Sequence, residues 1–202
     1  MNKKFQSVLI VAIILVVFVS SITLGFAESS QHSSSGYYQL NLVIEKQSMD
    51  NNNSSGMYSF YVMENGALES SSVIQVPFGK EVKITIINHD NGISQPFVPS
   101  ADNVSGVVGE SVLAANGVSH QVNQNDAVLN GSYIKEIPAA QISHTFSTNT
   151  GLNIPIYPNS TEVAYTYFNT VGDYSWGCMC QCGNLPMDSP GSMLGQLIVL
   201  PP

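Results

Sequence analysis

Apolar side chains recur at every second position along most of this chain, and no long amphipathic helix follows its first 27 residues. Leu40, Leu42 and Ile44 form one such row, and Tyr58, Phe60 and Val62 form another after the turn-rich stretch 51–56. Val73-Ile74-Gln75-Val76 is short and stops at Pro77. Val82, Ile84 and Ile86 alternate with Lys83 and Thr85, the pattern of a half-buried strand. The pattern resumes over 142–147, 163–168, 173–177 and 194–200. A period of two places alternate side chains on opposite faces of a sheet. Many short strands separated by turn residues therefore predict an all-β sandwich or barrel. Residues 91–140 differ: they are rich in Gly, Asn, Ser and Val, with weak periodicity. They read as an insertion carrying one or two short helices.

The N-terminal 27 residues are of another kind. Residues 8–27 carry no charge, about the length a helix needs to cross a hydrocarbon core. Lys3 and Lys4 precede them, which predicts a cytoplasmic N-terminus and an extracytoplasmic domain. A single membrane anchor is expected, with a cleaved signal segment ending near Gly25-Phe26-Ala27 as the alternative. A Ser-rich tether spans 28–36, and the folded domain spans 37–202. Asn-x-Ser/Thr sequons at Asn52, Asn53, Asn103, Asn130 and Asn159 suit an exported surface.

Charge is scarce. Only 10% of residues are charged, arginine is absent, and six lysines face 14 acidic residues for a formal net charge of -8. Clustered cations, which phosphate binding requires, are missing, so a nucleic-acid role is excluded. A surface with few carboxylate pairs has little to lose in acid, which suggests an acidic exterior.

All three cysteines fall within five positions, in Trp176-Gly177-Cys178-Met179-Cys180-Gln181-Cys182-Gly183. Soft sulfur on one loop suits copper. In an exported domain, pairing of Cys178 with Cys182 as a disulfide is the competing reading. Cys180 is either a third sulfur facing the same side or a small buried residue. No fourth ligand at suitable spacing points to zinc or iron–sulfur chemistry. His144, beside Phe146 on an expected strand, is the best imidazole, with His89 and His120 as substitutes. Met193 offers a thioether before the last strand, and Met187 is an alternative. No Ser-His-Asp or paired-carboxylate pattern supports hydrolysis.

These pieces resemble the cupredoxin domain of subunit II of haem–copper terminal oxidases. Ile86-Ile87-Asn88-His89-Asp90 is similar to that family's Asx turn, and His144-Thr145-Phe146 to its ligand strand. Gly151 and Pro158 keep its Gly-to-Pro spacing. Gly172, Tyr174, Cys178, Cys182 and Gly183 follow its Gly-x-Tyr and Cys-x-x-x-Cys-Gly in register. Of its final His-x-x-Met-x-Gly, only Met193-Leu194-Gly195 remains, with Pro190 in place of the histidine.

The resemblance implies a cupredoxin-like Greek-key β-sandwich behind one N-terminal transmembrane helix. It implies a dinuclear copper site on His144, Cys178, Cys182 and Met193, with Cys180 giving its backbone carbonyl. The second imidazole is missing from its usual place. Loss of that ligand is what the family's quinol-oxidising members imply, since they need no copper relay. The leading expectation is thus a single-pass, cell-membrane accessory subunit of a quinol-oxidising terminal oxidase with a degenerate copper site, not catalytic by itself. It would cap the catalytic subunit, with quinol or a small redox protein as indirect electron donor. The alternatives are a copper electron carrier with a dinuclear or mononuclear site, and an exported structural β-protein without redox role.

Overall fold

The computed structural model describes residues 36–46, 57–116, 131–182 and 191–202. The expected anchor and nearly all of the tether lie outside these residues, as do His32, His120, Met187 and Pro190. Among the described residues no helix is long and apolar enough to cross a membrane.

The alternating segments all become strands. In chain order they are β1 (Tyr38–Lys46), β2 (Tyr58–Glu64), β3 (Ala67–Ser70), β4 (Val73–Pro77), β5 (Glu81–Asn88), β6 (Val112–Asn116), β7 (Ser132–Ile134), β8 (His144–Thr148), β9 (Asn153–Ile156), β10 (Ser160–Tyr167), β11 (Gly172–Gly177) and β12 (Leu194–Leu200). One sheet runs β3-β2-β1-β5-β10-β6-β7 and the other β4-β12-β11-β8-β9. Most neighbours are antiparallel; β1 with β5 and β12 with β4 are parallel. The all-β, two-sheet expectation holds.

The predicted apolar rows form the core between the sheets. Leu42, Ile44, Phe60, Ile84 and Ile86 from the larger sheet meet Ile74, Phe146, Trp176 and Leu197 from the smaller, all buried. An aromatic cluster fills the centre. The Phe60 and Trp176 rings lie 5.3 Å apart edge-on. Phe146 and Trp176 lie 5.5 Å apart. Such contacts add roughly 0.5–1.5 kcal/mol per pair beyond area burial.

Three features depart from the sequence expectation. First, β5 is not half-buried toward its end, because Thr85 and Ile87 on its second face are covered as well. Second, the insertion contributes two strands, β6 and β7, which extend the larger sheet beyond β10. Among its described residues the helical content is short 3-10 segments, at Pro99–Asp102, Val108–Glu110 and Ala139–Gln141. Chains this rich in Gly and Asn do not offset the cost of nucleating an α-helix. Third, β3 and β9 were not anticipated. Every residue of β3 is exposed, so it has no apolar row to read. Pro155 lies within β9, which the sheet tolerates because β9 is an edge strand.

Gly195 on β12 explains a motif glycine by sterics. A Cβ there would sit 2.6 Å from Trp176 Nε1, 2.7 Å from Ser72 O and 2.8 Å from Ser71 O. The bare backbone lets the indole reach Ser71 O, to which Nε1 donates a 3.0 Å hydrogen bond. Gly195→Ala is expected to destabilise the domain by about 1–3 kcal/mol through overpacking. Chemical denaturation checks this, with a near-isoenergetic transition as the contrary result.

Candidate metal centre

The centre is built where β8 begins and β11 ends. β8 and β11 run antiparallel, with Trp176 opposite Thr148 and Gly177 opposite Ser147. The loop that leaves β11 therefore passes beside His144. Three contacts hold it there. The Thr145 N–H donates to Cys178 Sγ at 3.4 Å. The Met179 N–H donates to Thr145 Oγ1 at 2.7 Å. The Cys178 N–H donates to Met193 O at 2.8 Å.

His144, Cys178 and Cys182 converge. Their ligating atoms all lie within 4.8 Å of one another, a group able to hold a metal ion. His144 Nδ1 lies 3.1 Å from Cys182 Sγ, and the Cys178 and Cys182 sulfurs lie 2.7 Å apart. The three thiols are free. Imidazole and Cys178 are buried, and Cys182 is partly so. Cys180 is fully buried beside them, its thiol directed at Cys178. Met193 is buried, and its carbonyl joins it to Cys178 as described. His89 is not in the group; it lies 3.9 Å from Glu45.

Sequence reading missed the far side of the imidazole. His144 Nε2 lies 2.9 Å from Asp90 Oδ2. Asp90 is fixed by an Asx turn. Its N–H donates to Asn88 Oδ1 at 3.0 Å, and its Oδ1 accepts the Gly92 N–H at 2.8 Å. Asn88 is itself buried and donates from Nδ2 to Tyr157 O at 2.8 Å. The Asn-His-Asp turn had been noticed as a chain reversal. The signal for its role was the acid two residues after the strand's last Asn. Asp90 keeps a proton on Nε2 and leaves Nδ1 to face the thiols, which is how a carboxylate orients a ligating histidine. Phe60, edge-on at 6.4 Å, and Tyr58, at 6.5 Å, flank the ring.

The insertion closes the thiol loop from above. The Phe97 N–H donates to Met179 O at 2.9 Å, and the Gln181 N–H to Gln95 O at 2.8 Å. Pro96 bridges Cys180 in antiparallel fashion. The Ser94 N–H is anchored on Ile142 O. Residues 94–97 thus form a strap along the sulfur-bearing segment.

Electrostatics follow from this packing. Burial alone would depress the His144 pKa; the hydrogen bond to Asp90 and the nearby Cys178 outweigh it and push it up to about 9. Burial would raise Asp90, but hydrogen bonds from His144 and the Gly92 N–H hold it below the usual carboxylate range. Burial would likewise raise Cys178. Hydrogen bonds from Cys180 and Cys182, with His144 beside them, lower it well below an ordinary thiol. Cys180 and Cys182, as donors to Cys178, are held protonated. These directions favour charge separation, with His144 pushed toward its cation, Asp90 toward its anion and Cys178 toward thiolate.

No protein-family model and no curated sequence matches the chain. Solved structures do. A multicopper oxidase is 12% identical with a TM-score of 0.40, over 82% of this chain and 45% of that one. Reduced rusticyanin is 13% identical with a TM-score of 0.36, over 83% and 82%. Auracyanin B is 14% identical with a TM-score of 0.37, over 84% and 93%. The chain thus spans less than half the length of that multicopper oxidase. Likenesses at this level carry no weight for the site, which stands on its own geometry.

The His144–Asp90 pair has a definite pH signature in the metal-free domain. His144 is raised, so its contribution to stability is full below its ordinary value of 6.5 and lost as pH rises through about 9. Asp90 is lowered, so its contribution is present above its ordinary value of 3.8 and lost as pH falls further. Asp90→Asn should cost about 1–2 kcal/mol between these limits, the low end for a charged hydrogen bond because Asp90 is only partly buried. Equal pH profiles for variant and parent in urea unfolding would sink this expectation.

Proposed function

We propose that the domain is a cupredoxin-like, copper-binding electron-transfer module. The observation that carries this reading is the convergence of one imidazole nitrogen and two thiols in a buried pocket, with the imidazole's other nitrogen tied to a carboxylate. The donor set fits copper: thiolate and imidazole are the ligands copper prefers, and they meet without rearrangement of the chain. Bound copper would supply a one-electron carrier. The protein's own part is to hold the donors still. Asp90 orients His144, Phe60 packs the ring edge, Thr145 pins the loop at Cys178 and Met179, and the strap fixes Cys180 and Gln181. Cys180, buried beside Cys178, and Met193, whose carbonyl holds the Cys178 N–H, are the further sulfur residues of the proposal. A site held in this way changes little in shape when its charge changes.

At the finer level, we read the chain as a subunit II-like accessory component of a haem–copper terminal oxidase. In this reading residues 8–27 anchor it in the cell membrane and the sandwich sits on the outer side, against the catalytic subunit. Quinol or a small redox protein would be the indirect donor. Support for this comes from the Asx turn, ligand-strand and thiol-loop spacings in the sequence. Pro190, standing where that family has its second histidine, favours a second form of the reading, a metal-free subunit of the quinol-oxidising type.

Copper loading of the purified domain separates the two. Stoichiometric copper with intense thiolate-to-copper absorption in the visible is the expected result, abolished by Cys178→Ser and sharply reduced by His144→Ala. A folded protein that stays colourless with added copper would reject the copper site and leave the metal-free form. Co-purification with a haem-containing membrane complex tests the oxidase assignment independently.

A further inference from the structure

One buried ionisable group takes no part in holding the thiols. Glu162 on β10 is fully buried. Its Oε1 accepts from Ser160 Oγ at 2.6 Å and from the Tyr157 N–H at 3.0 Å. Its Oε2 has no partner among the described residues. A buried oxygen without a hydrogen bond is costly, and such exceptions call for a reason. Burial pushes the carboxyl up to about 8, against the two hydrogen bonds and the charge of His144.

Its surroundings are otherwise neutral. Opposite it stand Ile86 on β5 and Ala114 on β6. Tyr157 and Ser160 present a backbone N–H and a hydroxyl. His144 on β8 is the charged group that acts on it from across the sandwich, with Asp90 and Cys178 beyond on the imidazole's own contacts. Two of its neighbours face a pocket. Ala114 and Tyr157 also line a pocket of about 490 Å³, together with Asn116, Gln141 and Pro158. Opposite residues of an antiparallel pair face the same side, so Glu162 and Ala114 point the same way.

We propose that Glu162 is a proton-binding site linked to the charge of the His144–thiol cluster, loading a proton from the pocket when the cluster gains an electron and releasing it when the electron leaves. This rests on the copper reading. The balance is one electron from an external one-electron donor to the cluster, and one proton from water in the pocket to Glu162 Oε2. Extra positive charge on the oxidised cluster favours the carboxylate; its removal on reduction favours the acid. The unpartnered oxygen is where the proton sits.

The test is the midpoint potential of the copper-loaded domain against pH, in the parent and in Glu162→Gln, which keeps the shape and the hydrogen-bonding oxygen. In the parent the potential should fall with rising pH across the range in which Glu162 titrates, by up to about 59 mV per unit for one proton per electron. In the variant this slope should vanish. Reduced-minus-oxidised infrared spectra of the parent should contain a protonated-carboxyl band, which needs no variant to observe. Equal slopes in parent and variant, or no carboxyl band in the parent, would overturn the proton linkage alone. A protein that binds no copper overturns both readings, and is recognised at loading. In the metal-free domain the same raised acid makes stability fall as pH rises from its ordinary value of 4.5 through about 8, a loss that Glu162→Gln should remove.

Discussion

The structure depends on how one imidazole is held. His144 is buried, so its two nitrogens must both find partners in the protein. Asp90 takes one and the thiols take the other. That line draws together three distant parts of the chain: the turn after β5, the start of β8 and the loop after β11. Each has a second reason to be where it is. The turn is closed by Asn88, β8 pairs with β9 and β11, and the loop hangs on Thr145 and Met193. Charge and topology agree.

The legible part of the fold was the part with alternating apolar residues. Leu40, Leu42 and Ile44, and Val82, Ile84 and Ile86, are buried as their period indicates, although Val43, Thr85 and Ile87 on the second face are covered as well. What could not be read had no such row. Ala67–Ser70 is a polar, wholly exposed strand that exists because β2 offers it backbone partners. Val112–Asn116 and Ser132–Ile134 lie in a Gly- and Asn-rich stretch where pairing of the first with β10, and of the second with the first, outweighs weak local preference. Neither is visible from neighbours in sequence alone.

The site was legible in its donors and illegible in its supports. His144, Cys178 and Cys182 stand out by residue type and spacing, and they meet. Asp90 looked like part of a turn, since Asx residues are common there. Its second carboxylate oxygen is what reaches the imidazole, and only the packing of the turn against β8 reveals that. Residues 94–97 gave no signal at all, because their contribution is made with backbone groups. Every residue type except proline carries the same backbone donors.

That strap has a consequence for how the molecule comes to exist. The sulfur segment lies late in the chain, yet its backbone partners at Gln95, Pro96 and Phe97 lie far upstream, and the imidazole lies between. Contacts spanning so much sequence form late, after nearer pairings have brought the ends together. The nest of donors is thus complete only in the folded domain; in the open chain the thiols are loose and no shaped receptor exists.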